Sequence, residues 1–398
     1  MNTETGKQTQ RPAVSPRGLG ATIARADDAG LMRYRADSAE ALYMPAQSPE
    51  WAQAWALGAS MAGESADIVI IRVADGQRHI TSFLCEVVRQ GPFKVARFLG
   101  GSHANGNFPL RARTEFAVSS QEIVSAMTEA ARRERPDIDL LMLERQIEKI
   151  EGLDNPLLAY PHRPSPNVSL AVDLDGGFDA LLARSSGKRK RKQNRAQVRR
   201  FESAGGFRRM AATSRAESDA LLDAFFAMKK VRFAKMGIHD VFAPAEVKNA
   251  FRELFGAATA EADPRFVMHG LEVGGKLRAV TGSSRIRDRL ICEFSSISED
   301  ELTDASPGAY LFYENIQEAC QEGLSVYDFS VGDEYYKRLW CDIETVQFDT
   351  LIPLTTKGRM LAAGRVALAA AKRTVTSNPR LLAAAKSLRR RIASLGGQ

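Results

Sequence analysis

The sequence predicts an α/β fold of the α+β kind: a mixed, mostly antiparallel sheet flanked by helices, built twice along the chain. Three observations predict it. The composition is globular, with 44% hydrophobic, 26% charged and 8% aromatic residues. That excludes a mostly disordered, collagen-like or fibrous chain. The length of 398 residues suits two domains, each large enough to bury its own core. Finally, one order of elements (helix, three strand-like runs, helix, strand) occurs in both halves, and the later helices start about 188 residues apart.

The elements follow in order. Residues 1–30 are polar, with no apolar stretch of signal-peptide type, and are expected to be a disordered lead-in. Residues 31–160 hold the first domain. It has a helix over Ser48–Gly63, strands at Asp67–Val73, His79–Arg89 and Phe93–Leu99, and a Gly-rich loop, Gly100–Phe108. A helix over Ser120–Arg133 and a strand at Ile138–Leu143 complete it. Pro156, Pro161, Pro164 and Pro166 predict an irregular linker over Asn155–Asn167. Residues 161–355 hold the second domain, opened by one long helix over Phe178–Ala204 that Gly205-Gly206 closes. Helices at Glu217–Lys235 and Pro244–Ala260 precede strands at Phe266–Val273, Leu277–Arg285 and Arg289–Ile297. Gly274-Gly275 marks a hairpin between the first two. A helix over Pro307–Gln321 and strands at Val326–Ser330 and Glu344–Pro353 end the domain. Residues 356–398 read as a basic, Ala/Leu-rich helical tail broken at Asn378-Pro379. Its second piece sets Leu381, Ala385, Leu388 and Ile392 opposite Lys386, Arg389 and Arg391.

Charge is uneven. The net charge is +7, and Thr355–Gln398 carries ten Lys/Arg and no acid, so the tail makes the chain basic. A second cluster, Lys188, Arg189, Lys190, Arg191, Lys192, Arg195, Arg199 and Arg200, suits an anionic ligand or RNA phosphates, and equally a solvated helix face. No apolar run approaches bilayer-spanning length. Cys85, Cys292, Cys320 and Cys341 form no C-x-x-C pair, and the five histidines show no metal-ligand spacing. No metal is expected, and a reducing, cytoplasmic location is, with the tail offering a contact at the inner membrane face.

Two stretches carry candidate chemistry. Ser306-Pro307-Gly308-Ala309-Tyr310 opens a helix, with Ser306 as expected N-cap and Pro307 first in the helix. A first turn bare of side chains exposes N–H groups at a positive helix end, an anion site suited to a pyrophosphate. The strand Val326–Ser330 then runs into Gly332, Asp333, Glu334 and Lys337. Open α/β sheets bind ligands at that edge. Asp333 and Lys337, four residues apart, are the expected catalytic pair on one face of a helical turn, with Asp328 as a further carboxylate.

These residues, in this order of elements, resemble the GNAT acetyltransferase superfamily. The branch is the cellulose-biosynthesis-associated CelD type, related to the Fem aminoacyltransferases that carry two such domains in tandem. Three pieces carry the resemblance: the Lys/Arg-rich helix, the run Phe225-Phe226-Ala227-Met228-Lys229-Lys230-Val231-Arg232-Phe233, and Ser306-Pro307-Gly308 with Asp328-Phe329 and the Gly332 to Lys337 segment. The resemblance implies tandem GNAT-like domains, the second catalytic and the first inactive. It implies acyl transfer from acetyl-CoA or another acyl-CoA to an amine or hydroxyl of a small molecule or glycan or lipid precursor. Ser306, Gly308, Ala309 and Tyr310 would then hold the cofactor. Lys188, Arg189, Arg191, Lys192, Arg195 and Arg232 would hold substrate. The sequence departs from the family's Q/R-x-x-G-x-G/A loop, having Asp304-Ala305-Ser306-Pro307-Gly308-Ala309-Tyr310 there. Two alternatives remain open at this stage: a Fem-like transferase using aminoacyl-tRNA, and a non-catalytic scaffold for anionic polymers or membrane.

Overall fold

The structure, a computed structural model, describes residues 18–114, 117–184 and 186–377. The first half contains β1 (Leu19–Arg25), α1 (Asp28–Ser38), α2 (Pro49–Met61), β2 (Ile68–Asp75), β3 (Arg78–Gln90), β4 (Phe93–Phe98), α3 (Ser120–Glu134) and β5 (Leu140–Gln146). After β6 (His162–Asp173) come α4 (Gly177–Arg184), α5 (Gly187–Ser203), β7 (Phe207–Ala211), α6 (Arg215–Met236) and α7 (Ala245–Ala258). Then follow β8 (Phe266–Val273), β9 (Lys276–Ile286), β10 (Arg289–Ile297), α8 (Pro307–Gln321), β11 (Val326–Val331), α9 (Tyr335–Arg338), β12 (Ile343–Pro353) and α10 (Thr356–Ser377).

The strands make one fourteen-stranded sheet, ordered β1-β2-β3-β4-β5-β12-β6-β11-β10-β9-β8-β7, with the short strands Ala41–Leu42 and Leu110–Ala112 attached beside it. Neighbours in this row are antiparallel except β4–β5 and β10–β11. The halves repeat one plan, and each takes its sixth strand from the other stretch of chain. β6 leaves the first half to pair with β11, and β12 returns to pair with β5. β6 and β12 also pair with each other, from His162 opposite Thr350 to Ala171 opposite Ile343.

Helices cover both faces. On one, α3 buries Ile123, Val124, Met127, Ala130 and Ala131 against the first half's strands, and α8 buries Phe312 and Ile316 with Tyr327 and Phe329 of β11. On the other, α1, α2, α6 and α7 share one core that joins the halves, including Trp51, Trp55, Phe225, Phe251, Phe255 and Phe294. α2 starts where expected: Ser48 caps the Trp51 N–H and Pro49 occupies the first turn. Among the described residues, no helix is long and apolar enough to cross a membrane.

Several expectations need correction. The lead-in ends before residue 30, because β1 pairs with β2 from Leu19 onward and Asp28 begins α1. The Pro-rich linker is partly strand. β6 starts at His162, and its ladder with β12 shifts between Pro164 and Val168, where prolines without N–H groups are tolerated. The boundary near residue 160 separates chain segments but not sheets, since β12 completes the first half. The long basic helix is two helices. Ser186 adopts a left-handed φ of 53°, and Gly187 packs so close to Leu182 that a Cβ would lie 2.3 Å from its carbonyl oxygen. The tail begins as the helix α10, and its stripe at Leu381, Ala385, Leu388 and Ile392 lies outside the described residues.

The joint between halves is tightest at Gly58 of α2. A Cβ there would stand 2.6 Å from the Glu246 oxygen and the Ala250 nitrogen of α7. Gly58→Ala should therefore lower stability to urea by about 1–3 kcal/mol, the usual penalty of overpacking. An exposed helical glycine would instead gain roughly 1 kcal/mol from the same change. A Gly58→Ala protein more stable than wild type would show that the two helices are not in backbone contact.

Candidate active site

The site grows from a defect in the ladder. β9 and β10 pair regularly until the register slips: Ser283 opposes Cys292, while Gly282 opposes Phe294. Glu293 is the extra residue, a β-bulge, and bulges re-aim side chains. The parallel partner β11 stays hydrogen-bonded to β10 only from Arg289/Val326 to Ile291/Asp328, so the strands part where the bulge begins. Phe294 enters the shared core, 4.3 Å from Phe225 between ring centroids. Glu293 lines a cavity of ≈ 420 Å³ between the halves, together with Asn105, Asp328, Ser330 and Gln347.

Glu293 keeps contact with the cavity, yet protein surrounds its carboxyl group. Ser284 donates to Oε1 at 2.5 Å and Asn105 Nδ2 donates to Oε2 at 2.9 Å. Burial outweighs these bonds and pushes the carboxyl up to about 7, with Asp328 adding to the rise. Asp328 is buried and well held. Oδ1 accepts from the Ser330 N–H at 2.6 Å and from Ser169, and Oδ2 accepts from Arg289 at 2.8 Å. The sequence reading found Asp328 but missed Glu293. Its one signal was a carboxylate inside the otherwise apolar run Leu290-Ile291-Cys292-Glu293-Phe294.

The start of α8 lies beside the end of β10. Its first turn has no acid and no side-chain cap. Ser306 is not the expected capping side chain, because it also closes the turn Thr303–Ala305 and sits at a left-handed φ of 55°. The Ala309 and Tyr310 N–H groups both point to the Ser306 carbonyl. Gly308 is required by packing, since a Cβ would come within 2.6 Å of Ile297. Tyr310 is a core residue, edge-on to Phe201 at 5.4 Å. The basic helix α5 flanks this turn. Gln197 donates to the Ala305 and Ser306 carbonyls, and Arg200 donates to that of Asp304. Lys188, Arg189, Lys192 and Arg195 are exposed. Arg191 pairs with Asp179. Lys190 is buried over the Trp340 ring at 4.1 Å, and burial lowers it to about 8.

The segment after β11 differs from expectation. Asp333 precedes α9 instead of lying in it, so the helical spacing to Lys337 does not apply. Asp333 is exposed and pairs with Arg338, which also binds Glu344. Lys337 is buried, donating to the Val331 carbonyl at 2.8 Å and pairing with Glu334 at 2.9 Å. It ties down the strand end and makes no pair with Asp333. Tyr336 stacks on Phe312 at 5.5 Å and bridges the gap between the strands to Ser295 of β10; burial holds its phenol protonated. On α6, Lys229 lies within 6 Å of the Phe225, Phe233 and Phe242 rings. Burial and the neighbouring Arg232 lower it to about 8. Arg232 itself is exposed.

Lys337→Met should cost about 1–3 kcal/mol in urea unfolding, because buried carbonyls lose their donor. Asp333→Asn should leave stability unchanged. Equal stability of both variants would refute the anchoring role of Lys337.

Comparisons with known proteins bear on this arrangement. No curated protein matches the chain. The crystal structure of FemX is similar with a TM-score of 0.53 at 12% identity, over 81% of this chain and 96% of that one. A conserved protein of unknown function from Bacteroides thetaiotaomicron gives 0.51 at 12% identity, over 84% and 99%. At these identities the likeness is one of fold. Residues 188–338, from the basic helix to the end of α9, match the family model of the acetyltransferase (GNAT) domain.

Proposed function

We propose that the chain is an acyltransferase that moves an acetyl or other acyl group from acyl-CoA to an amine or hydroxyl, with Glu293 as proton acceptor. One observation carries this reading. The bulge at Glu293 sits where β10 and β11 part, with the uncapped start of α8 on one face of the sheet and the ≈ 420 Å³ cavity on the other. The donor would enter from the α8 face. Its pyrophosphate would meet the first turn of α8 and its outer phosphate the exposed cations of α5. The acceptor would enter through the cavity.

The chemistry follows from that placement. The acceptor nitrogen or oxygen attacks the thioester carbonyl carbon, and Glu293 takes the proton it sheds. The tetrahedral intermediate expels the CoA thiolate, which needs a proton. Tyr336, a protonated phenol spanning the gap, is suited to supply it. This reading replaces the Asp333–Lys337 pair with Glu293. It leaves Asp328 with Arg289 as a charged wall of the acceptor cavity, and the exposed Arg232 as a substrate contact. The resemblance to the CelD type points to an acceptor from glycan or exopolysaccharide synthesis. The tail adds a surface contact, since α10 exposes Met360, Val366 and Leu368 beside Lys357 and Arg359, which suits an anionic bilayer surface. The rival donor, aminoacyl-tRNA, would use the same α5 cations, and its binding would weaken steeply with salt.

Glu293→Gln should lower turnover by roughly 100- to 10,000-fold, measured as thiol release from acetyl-CoA with an amine panel. Acetyl-CoA affinity should stay at wild-type level. Because Glu293 must be ionised to act, the wild-type rate should rise through pH 7 and level off above it. A rate flat from pH 5 to 9, or near-normal turnover in Glu293→Gln, would remove Glu293 from the reaction. For the donor site, Ala309→Glu places a carboxylate in the first turn of α8 without disturbing the Gly308–Ile297 contact. It should weaken acetyl-CoA binding at least about tenfold in calorimetry, and unchanged affinity would place the pyrophosphate elsewhere.

A further inference from the structure

Glu293 belongs to the second half of the chain, but its hydrogen bonds do not all stay there. Ser284 reaches it from β9. The other donor is Asn105, from the Gly-rich loop after β4 in the first half. Asn105 Nδ2 donates to Oε2 of Glu293 at 2.9 Å and to the Glu293 carbonyl at 2.8 Å. Both targets are acceptors, so only the NH₂ end of the amide fits there, and its two hydrogens serve both. One side chain thus fixes the carboxylate and also supplies a donor to the main chain of the bulge. Asn105 is held in turn. Its main-chain carbonyl accepts from Gln347 Nε2 at 2.9 Å. Gln347 belongs to β12, is 3% exposed and lines the same cavity. Its Oε1 is a buried acceptor that no donor among the described residues reaches.

We propose that Asn105 is a positioning residue for Glu293, backed by Gln347, so that the first half and the returning strand complete an active site whose reacting groups lie in the second. The inference rests on Glu293 being the proton acceptor. Its chemistry is specific. A hydrogen bond from a neutral amide favours the ionised carboxylate, and burial opposes it. Other charges around the cavity are Asp328 with Arg289 on β11 and β10, Arg287 and Asp288 at the β9–β10 turn, and Lys149 and Glu151 from the first half. Among the described residues, Asn105 is therefore the one neutral donor that crosses between the halves to oppose the upward push on Glu293.

The test is direct titration of Glu293 in the full chain, by carboxyl ¹³C NMR of glutamate-labelled protein. The Glu293 signal is identified by its loss in Glu293→Gln. In wild type it should titrate near pH 7. Asn105→Leu should move the midpoint upward by about one to two units, the scale of one hydrogen bond to a charged group. Gln347→Leu, which frees Asn105, should move it in the same direction by less. The acid limb of thiol release should move with both. A raised midpoint unmoved by Asn105→Leu overturns the inference and leaves the role of Glu293 standing; if that variant does not fold, Gln347→Leu decides alone. A wild-type midpoint in the ordinary glutamate range overturns the role of Glu293 and this inference with it.

Discussion

The antiparallel ladder between β6 and β12 is the contact on which the remaining structure depends. Each strand is paired on both edges, β6 with β12 and β11, β12 with β6 and β5. Neither half therefore closes its sheet with its own chain. The first half is finished by residues 343–353, and the second by a strand that precedes all its other elements. Pairings so distant in sequence carry a loop-closure cost before they return any stabilisation. The compensation is that each half's sixth strand becomes interior rather than an exposed edge, which removes a site of unwanted pairing.

The ladder also explains where the cavity is. β12 brings Gln347 and Thr345 to the inner edge of the second half, and β6 brings Ser169 beside Asp328. The helix layer acts in the same sense. The contact at Gly58 holds α2 against α7, and the shared aromatic core passes from Trp51 through Phe251 to Phe294. Phe294 is the neighbour of Glu293 on the bulge. The packing that joins the halves therefore also anchors the residue next to the candidate proton acceptor.

Much of this was legible in the sequence, and the failures have physical reasons. Alternating apolar residues and the Gly274-Gly275 turn marked β8 and β9 to within a residue or two, and the repeated order of elements disclosed the duplication. Strand exchange was not legible, because pattern marks β12 as a strand but not which neighbour it prefers. Four prolines hid β6, although its Pro164 and Pro166 fall where the ladder is irregular. The break at Ser186 was masked because no proline interrupts Phe178–Ala204, while Gly205-Gly206 offers a clear stop beyond it. The bulge was the costliest omission. A bulge of one residue leaves composition untouched, and nothing in Arg289–Ile297 except its charge sets Glu293 apart from its neighbours. Asp333 and Lys337 were drawn together by a spacing that holds only inside a helix, and α9 begins two residues after Asp333.

The two halves share a plan but differ where the proposed acyl donor would bind. Where β10 and β11 part, Tyr336 reaches across the gap to Ser295. Where β4 and β5 part, the gap is filled. Asn107 inserts beside β5, bonded to Arg145 and Ile147 through its main chain and to the Glu144 carbonyl through its side chain. Arg145 then reaches back to the carbonyls of Ser102 and Ala104, and α10 covers the strands, with Ala362 against Val95, Leu140 and Met142. The helix starts differ in the same direction. α3 begins with a complete capping box: the Ser119 hydroxyl accepts the Glu122 N–H, and the Glu122 carboxylate accepts the Ser119 N–H at 2.8 Å. Those bonds hold Glu122 ionised, below the usual glutamate range. A negative charge already occupies the positive end of that helix, and an incoming phosphate would meet it. α8 has no acid in its first turn and no capping side chain, and the cations of α5 stand beside it. The same fold therefore closes one cleft with its own chain and leaves the other open, with a carboxylate raised toward neutrality at its base.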